Sequence, residues 1–170
     1  MSSTNSAGSP KIHPLELVHP EAKIHASVEI GPWSQVGAHV EIGAGTILKS
    51  HVIIDGRTRI GEDNIFFPFC VVGGAPQDLK YKGEDTKLEI GSRNRIREAV
   101  TINLGTELGG GVTKLGDDCL LMAYSHLGHD AIVGDHCIIA NSSALAWHVT
   151  IGYYAILGGL TAVAQYVRVG

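Results

Sequence analysis

The sequence is short of aromatic residues, of cysteine, of long apolar runs and of positive charge, and each shortage excludes something. Only 6% of the 170 residues are aromatic while 22 are glycine. A core must therefore be built from Ile, Val, Leu and Ala, with many tight backbone positions, which suits short stacked strands better than a helical bundle. The three cysteines, Cys70, Cys119 and Cys137, are odd in number and sit inside apolar stretches, so buried free thiols are expected rather than a disulfide framework. No apolar run approaches the roughly 20 residues that a membrane-spanning helix needs. Thirteen Lys and Arg against seventeen Asp and Glu leave a net charge of −4. Such a chain has no overall attraction for nucleic acid or an anionic membrane, and any anion must be bound by a local cluster. The Ser-rich start, Met1 to Pro10, lacks the basic and apolar regions of a secretory signal and reads as a disordered tail on a cytoplasmic protein.

What is present in abundance is a period. Aliphatic residues or Phe recur every six positions from Ile12, Val18 and Ile24 without a break to Val72. The phase returns at Ile90, Ile96 and Ile102, slips by one, and runs again from Leu115 to Val169. Glycine often follows the aliphatic residue, as in Ile30-Gly31 and Val133-Gly134, and small or β-branched residues such as Val40, Thr46, Ser143 and Ala155 recur four places after it. Six does not match the 3.6-residue helical repeat. It does match a flat strand that packs one large residue, turns a corner and starts again. Three such faces close a triangular coil of about 18 residues, stacked at the inter-strand spacing of about 4.8 Å. The fold expected is all-β, a left-handed parallel β-helix over residues 11–170. A right-handed solenoid is the alternative, although its coils are less regular.

Two stretches break the period, near residues 74–89 and 107–113. Both read as loops projecting from the prism, where a rigid scaffold either carries binding residues or is merely decorated. Val169-Gly170 has the form of an opening hexad, so a natural chain continuing past it is expected.

Chemistry concentrates in Ser125-His126-Leu127-Gly128-His129-Asp130 and Ala146-Trp147-His148. In an 18-residue coil His129 falls beneath Trp147 and one place out of register with His148. Histidine suits general base catalysis, and a neighbouring carboxylate, here Asp130, can orient its ring. A zinc site of three histidines is the competing use of the cluster, although no ligand spacing demands it, and outward-facing corner residues are the bland one. His13, His19, His25, His39 and His51 form no cluster, and most of them read as solvated. Arg93, Arg95 and Arg97 alternate with other residues, which in a strand puts them on one side, as an anion or acidic-protein site or as a plain charged face.

Four segments resemble a known family: Gln77 to Glu84, Ile90 to Glu98, His126 to Asp130 and Gly158 to Val163. The first two lie largely outside the bare hexad pattern and are the most specific. The family is the acyl-carrier-protein:UDP-N-acetylglucosamine O-acyltransferases, which open lipid A synthesis. The resemblance implies acyl transfer with no metal, no cofactor and no covalent enzyme intermediate. It makes His129 the base that deprotonates the sugar 3-hydroxyl for attack on a 3-hydroxyacyl thioester of acyl carrier protein. Asp130 would polarise His129, and the backbone N–H of Trp147 would bind the oxyanion, a contact worth about 3 kcal/mol. Asp78, Lys80, His126, His148 and Gln165 match positions that contact the UDP-sugar or its product. The resemblance further implies a homotrimer with sites between neighbouring prisms, and acidic acyl carrier protein guided by basic residues such as Arg168 and the Arg93–Arg97 segment.

Three residues depart from the pattern: Ala164 stands for a usual His, Leu104 for a usual Arg and Trp147 for a usual Gly. The family's C-terminal helical domain is expected beyond this chain. Two other readings stay open: a non-catalytic β-helix binding a nucleotide sugar or acyl carrier protein, and a γ-type carbonic anhydrase-like metalloenzyme using His126, His129 and His148.

Overall fold

The computed structural model describes residues 9–170, so the expected tail lies outside the described residues as far as residue 8. The chain is a left-handed parallel β-helix. Its 24 strands, most of them two residues long, form three parallel sheets of eight. The first sheet starts at Lys11–Ile12, the second at Leu17–Val18 and the third at Lys23–Ile24. Each strand pairs with the one three further along the chain, as in Ile12 with Ile30 and Val18 with Val36, which is a coil of 18 residues.

The second residue of each strand points inward and fills the prism. Ile54, Phe66, Ile102, Leu127 and Leu145 are all fully buried. This repeated burial is the driving force, at roughly 25 cal/mol per Å² of apolar surface removed from water.

The corners hold the coils together. Ser34 Oγ donates to the Lys49 carbonyl at 2.9 Å, Thr46 Oγ1 to Gly61 at 3.1 Å and Ser143 Oγ to Gly158 at 2.7 Å, each 15 residues on. Cys119 and Cys137 make the same contact through sulfur, to Gly134 at 3.2 Å and Gly152 at 2.9 Å. These residues four places after an aliphatic one thus supply a donor as well as fitting the space, whereas Val40 and Ala155 in the same position only pack there. At many corners the residue directly before the small one is left-handed, and many of these carry side chains, Trp33, His51, Phe69, Tyr124 and His148 among them, with φ of 58–69°. Each such residue costs on the order of 1 kcal/mol. Stacking offsets that cost, since the N–H of His51 bonds the Pro32 carbonyl and that of Phe69 bonds the His51 carbonyl. The rings pile up as well: His51 lies between Trp33 and Phe69, with centroids 4.9 and 5.0 Å away, so it is half-buried rather than solvated. His13, His19, His25 and His39 are exposed.

Both interruptions leave the prism at the edge between the second and third sheets. Val72 pairs with Ile102 and Ile60 with Ile90, offsets of 30, so the first loop adds twelve residues to a coil. Ile102 then pairs with Leu127 and Ile90 with Leu115, offsets of 25, so the second adds seven. The first loop lies between strands Val71–Gly74 and Lys87–Ile90. Gly73 starts it with φ of 77°, where a Cβ would collide with the Asp55 carbonyl oxygen. The second loop follows Thr101–Asn103, contains a short 3₁₀ turn at Glu107–Gly109 and ends at Val112–Leu115.

The outer faces differ. The third sheet shows a column of alternating sign in which neighbours Lys23, Glu41, Arg59, Glu89 and Lys114 pair in register. The first sheet instead turns Ile47, Ile65, Leu120, Ile138 and Ile156 outward. The arginine segment does not present three cations on one face. Only Arg95 lies in a strand, Arg95–Ile96, because strands here are too short for alternation. Arg93 sits at a corner, ion-paired to Asp117 and Asp118, while Arg97 pairs with Glu98 at 3.0 Å and covers the Phe67 ring. Among the described residues no helix is long and apolar enough to cross a membrane.

Candidate active site

The edge that carries both loops also carries the His129 corner. His129 and Asp130 are 5% and 4% exposed, unlike most corner residues, because the loops cover them. His129 Nδ1 lies 2.8 Å from Asp130 Oδ2. The same carboxylate receives the Thr106 hydroxyl at Oδ2, 2.6 Å, and the Thr106 backbone N–H at Oδ1, 2.9 Å. Asp130's own N–H bonds Thr113 Oγ1 at 2.8 Å, so the ends of the second loop grip this residue by side chain and backbone.

One coil further on, the Trp147 indole stacks on the His129 ring, centroids 5.6 Å apart and planes within 4°. His148 meets the same imidazole edge-on at 5.6 Å and itself stacks on Tyr166 at 4.7 Å. The His148 N–H bonds the His129 carbonyl, whereas among the described residues nothing accepts from the Trp147 backbone N–H.

Two cavities meet at this point. The larger, about 620 Å³, is walled by Asp78, Lys80, Thr106, His148 and Tyr166. The smaller, about 250 Å³, runs along the outer face of the second sheet over Ala144, Ala146, Ala162 and Val163. Gln77, His129 and Trp147 border both. A larger compartment of mixed lining, with the charged groups of Asp78 and Lys80 in its wall, and a smaller, mainly apolar one therefore share a wall that contains a histidine base candidate.

His126 lies in the smaller cavity, with Nδ1 2.7 Å from the Thr101 hydroxyl. Burial, and then the nearby His129, push its pKa below the ordinary 6.5, so it favours the neutral form.

The family profile for bacterial transferase hexapeptide repeats (six repeats) matches residues 21–56 and 112–146. Over these two stretches the chain is similar to the hexapeptide-repeat transferases. Among these transferases it resembles UDP-N-acetylglucosamine O-acyltransferases. A curated acyl-[acyl-carrier-protein]–UDP-N-acetylglucosamine O-acyltransferase from Anaeromyxobacter sp. (strain Fw109-5) is 59% identical over 78 residues, 46% of this chain and 30% of that protein. The solved LpxA of Acinetobacter baumannii is 48% identical with a TM-score of 0.91, over 92% of this chain and 61% of that one. The UDP-N-acetylglucosamine O-acyltransferase (LpxA) of Moraxella catarrhalis RH4 is 45% identical with the same TM-score, over 93% and 62%. The chain thus spans under two thirds of the length of each of these relatives.

Of the residues nominated from sequence, the hexapeptide prism brings together His129, Asp130, Trp147, His148, Asp78 and Lys80 around the larger cavity, Asp130 from behind His129. His126 is set one sheet face away, and Gln165 is exposed and borders neither cavity. Tyr166 takes that place, and it was readable by adding a coil of 18 to His148. Among the described residues His126 is not one of the donors that converge with His129 and His148, and its Nδ1 contacts the Thr101 hydroxyl. A cation could instead find His129, Asp130 and His148, whose donor atoms lie within 4.8 Å of one another. It would have to displace the Thr106 hydroxyl or the His129 ring from Asp130. Thr106 itself was missed, since its partner lies 24 residues ahead. Leu104 is buried against Gly56, and Ala164 is exposed.

Proposed function

We propose that the chain transfers a 3-hydroxyacyl group from acyl carrier protein to the 3-hydroxyl of UDP-N-acetylglucosamine, with His129 as general base. The observation that carries this is the buried His129–Asp130 pair on the wall between a larger cavity that holds Asp78, Lys80 and His148 and a smaller, mainly apolar one. The nucleotide sugar takes the larger one, where Asp78, Lys80 and His148 offer acceptors and donors, and the acyl chain lies on the alanine-lined face.

In this scheme His129 Nε2 takes the proton of the sugar hydroxyl as its oxygen bonds to the thioester carbon. The carbonyl oxygen becomes an oxyanion and receives the unengaged Trp147 N–H, a donor of a kind worth about 3 kcal/mol. Collapse breaks the carbon–sulfur bond, and the imidazolium returns its proton to the departing thiolate. Asp130 stays fixed and holds the ring in place.

A homotrimer follows from the same reading. The column Ile47, Ile65, Leu120, Ile138 and Ile156 on the first sheet, apolar except for Arg95 between Ile65 and Leu120, is a face that a second copy would cover, while the charged third sheet faces water. Three unpaired thiols fit a reducing, cytoplasmic setting. Lys80, exposed on the rim of the larger cavity, is a cation in position to meet an acidic carrier protein.

The test is mass spectrometry of UDP-N-acetylglucosamine incubated with acyl carrier protein thioesters and either the chain or its His129→Ala variant. A product mass increased by one acyl group, and at least about a hundredfold slower formation with the variant, is expected. Undiminished turnover by the variant removes His129 from the mechanism.

A further inference from the structure

The second loop is more than an ornament of the prism. Its residues 104–111 are stitched to the coil below by Gly105 N to the Lys87 carbonyl at 3.1 Å and by Lys87 N to the Gly111 carbonyl at 2.9 Å. The loop closes on itself through Gly111 N to the Thr106 carbonyl at 2.8 Å. Gly109 then lies so close to Asp130 that a Cβ there would collide with the carboxylate. The loop is thus a strap whose inner side is Thr106 and whose load is one carboxylate.

The directions of the hydrogen bonds under this strap are determined. Gly109 N–H donates to Thr106 Oγ1 at 3.2 Å, so the oxygen's acceptor role is already occupied there. Its own proton has one partner within reach, Asp130 Oδ2 at 2.6 Å. Oδ1 meanwhile accepts from the Thr106 backbone N–H. As a carboxylate Asp130 only accepts, so the ring nitrogen 2.8 Å from Oδ2 has to bring the proton to that contact. In a neutral imidazole this places hydrogen on Nδ1 and the lone pair on Nε2. Were Oδ2 free of Thr106, the carboxyl group could hold a proton of its own and the ring could turn the other way.

We infer that Thr106 is a positioning residue for acyl transfer: its hydroxyl orients Asp130 so that His129 presents an unprotonated Nε2 to the substrate hydroxyl. The inference rests on the acyl-transfer reading for its kinetic part and on geometry alone for its spectroscopic part.

The experiment uses the 170-residue chain labelled with ¹⁵N-histidine, together with Thr106→Val and Thr106→Ser. Valine keeps the shape and the backbone N–H but deletes the hydroxyl, and serine restores it. In the unmodified chain the neutral His129 ring should show ¹⁵N shifts of the tautomer protonated at Nδ1. With Thr106→Val that signature should be lost or mixed, kcat should fall about 10- to 100-fold, and KM for the nucleotide sugar should move less than about twofold. Thr106→Ser should recover most of kcat. A His129 protonated at Nε2 in the unmodified chain overturns the inference, as does Thr106→Val turnover within about twofold of the original. If Thr106→Val loses its circular dichroism signature, the tautomer of the unmodified chain and the serine variant decide. Absence of transfer by every form sinks the acyl-transfer reading and leaves the ¹⁵N result to judge Thr106.

Discussion

The indole of Trp147 lies parallel to the His129 imidazole to within 4° at 5.6 Å, and the same residue borders both the larger cavity and the smaller one. Removing it should merge the two spaces beside the base. Trp147→Gly keeps the backbone N–H proposed for the oxyanion, so the change isolates the ring. Longer acyl donors should gain relative to shorter ones, by up to about fourfold in kcat/KM for each methylene that becomes buried. Competition between acyl carrier protein thioesters of graded length, read by product mass, checks this. An unchanged length profile shows that the ring bounds no acyl site.

The period of six carried most of the architecture because each inward aliphatic residue is a local statement about the same core. Leu127 and Leu145 could be stacked by counting alone, and so could His129 and Trp147. Counting fails where the chain departs from the prism. Thr106 reaches Asp130 only because an insertion of seven residues folds back on its own coil, a contact that follows from no repeat. Arg93 and Arg97 misled for the opposite reason: alternation presumes a strand several residues long, whereas this one has two. The corner donors show a subtler loss. Thr46 and Ser143 read as merely small or β-branched, although each also donates to the carbonyl 15 residues on.

Burial lowers the His126 pKa below 6.5, and this gives stability a pH dependence of definite sign. Above the unfolded value both states hold the ring neutral and nothing changes with pH. As pH falls below 6.5 the unfolded chain takes up a proton that the folded chain resists, so stability is lost on acidification until the folded pKa is passed. His126→Gln, which keeps a partner for Thr101, should flatten urea midpoints measured between pH 7 and about 5.5. Parallel curves for the two proteins would show that His126 does not contribute.

Asn94 ties three coils together in one corner. Its Oδ1 accepts from the Cys119 N–H at 2.7 Å, its Nδ2 donates to the Gly116 carbonyl at 2.9 Å, and its own N–H bonds Asn64 Oδ1 at 3.0 Å. Asn94→Ala leaves a buried donor and a buried acceptor without partners, each costing about 1–3 kcal/mol. Chemical denaturation should show a loss of at least about 2 kcal/mol. Asn94→Thr, which can keep one of the two contacts, should lose less. Equal losses for both would mean that the corner is held by packing and not by these bonds.

Thiol reactivity gives a test of the corners that needs no substrate. Burial raises the Cys70 thiol to about 12 and the Cys119 thiol to about 12, and raises Cys137 as well. Each sulfur also donates to a carbonyl, Cys70 to Arg97 at 2.9 Å, Cys119 to Gly134 and Cys137 to Gly152. Only the thiolate attacks a disulfide reagent, and at pH 8 a group titrating near 12 holds on the order of one part in ten thousand of it. Steric closure slows reaction further, since all three residues are buried. The native chain should therefore release almost no chromophore from an aromatic disulfide over an hour, and all three thiols should react within minutes in denaturant. Because local opening is the remaining route to reaction, Asn94→Ala should speed modification of Cys119, whose N–H it frees, more than that of Cys70. Fast labelling of any cysteine in the native chain would contradict the stacked corners.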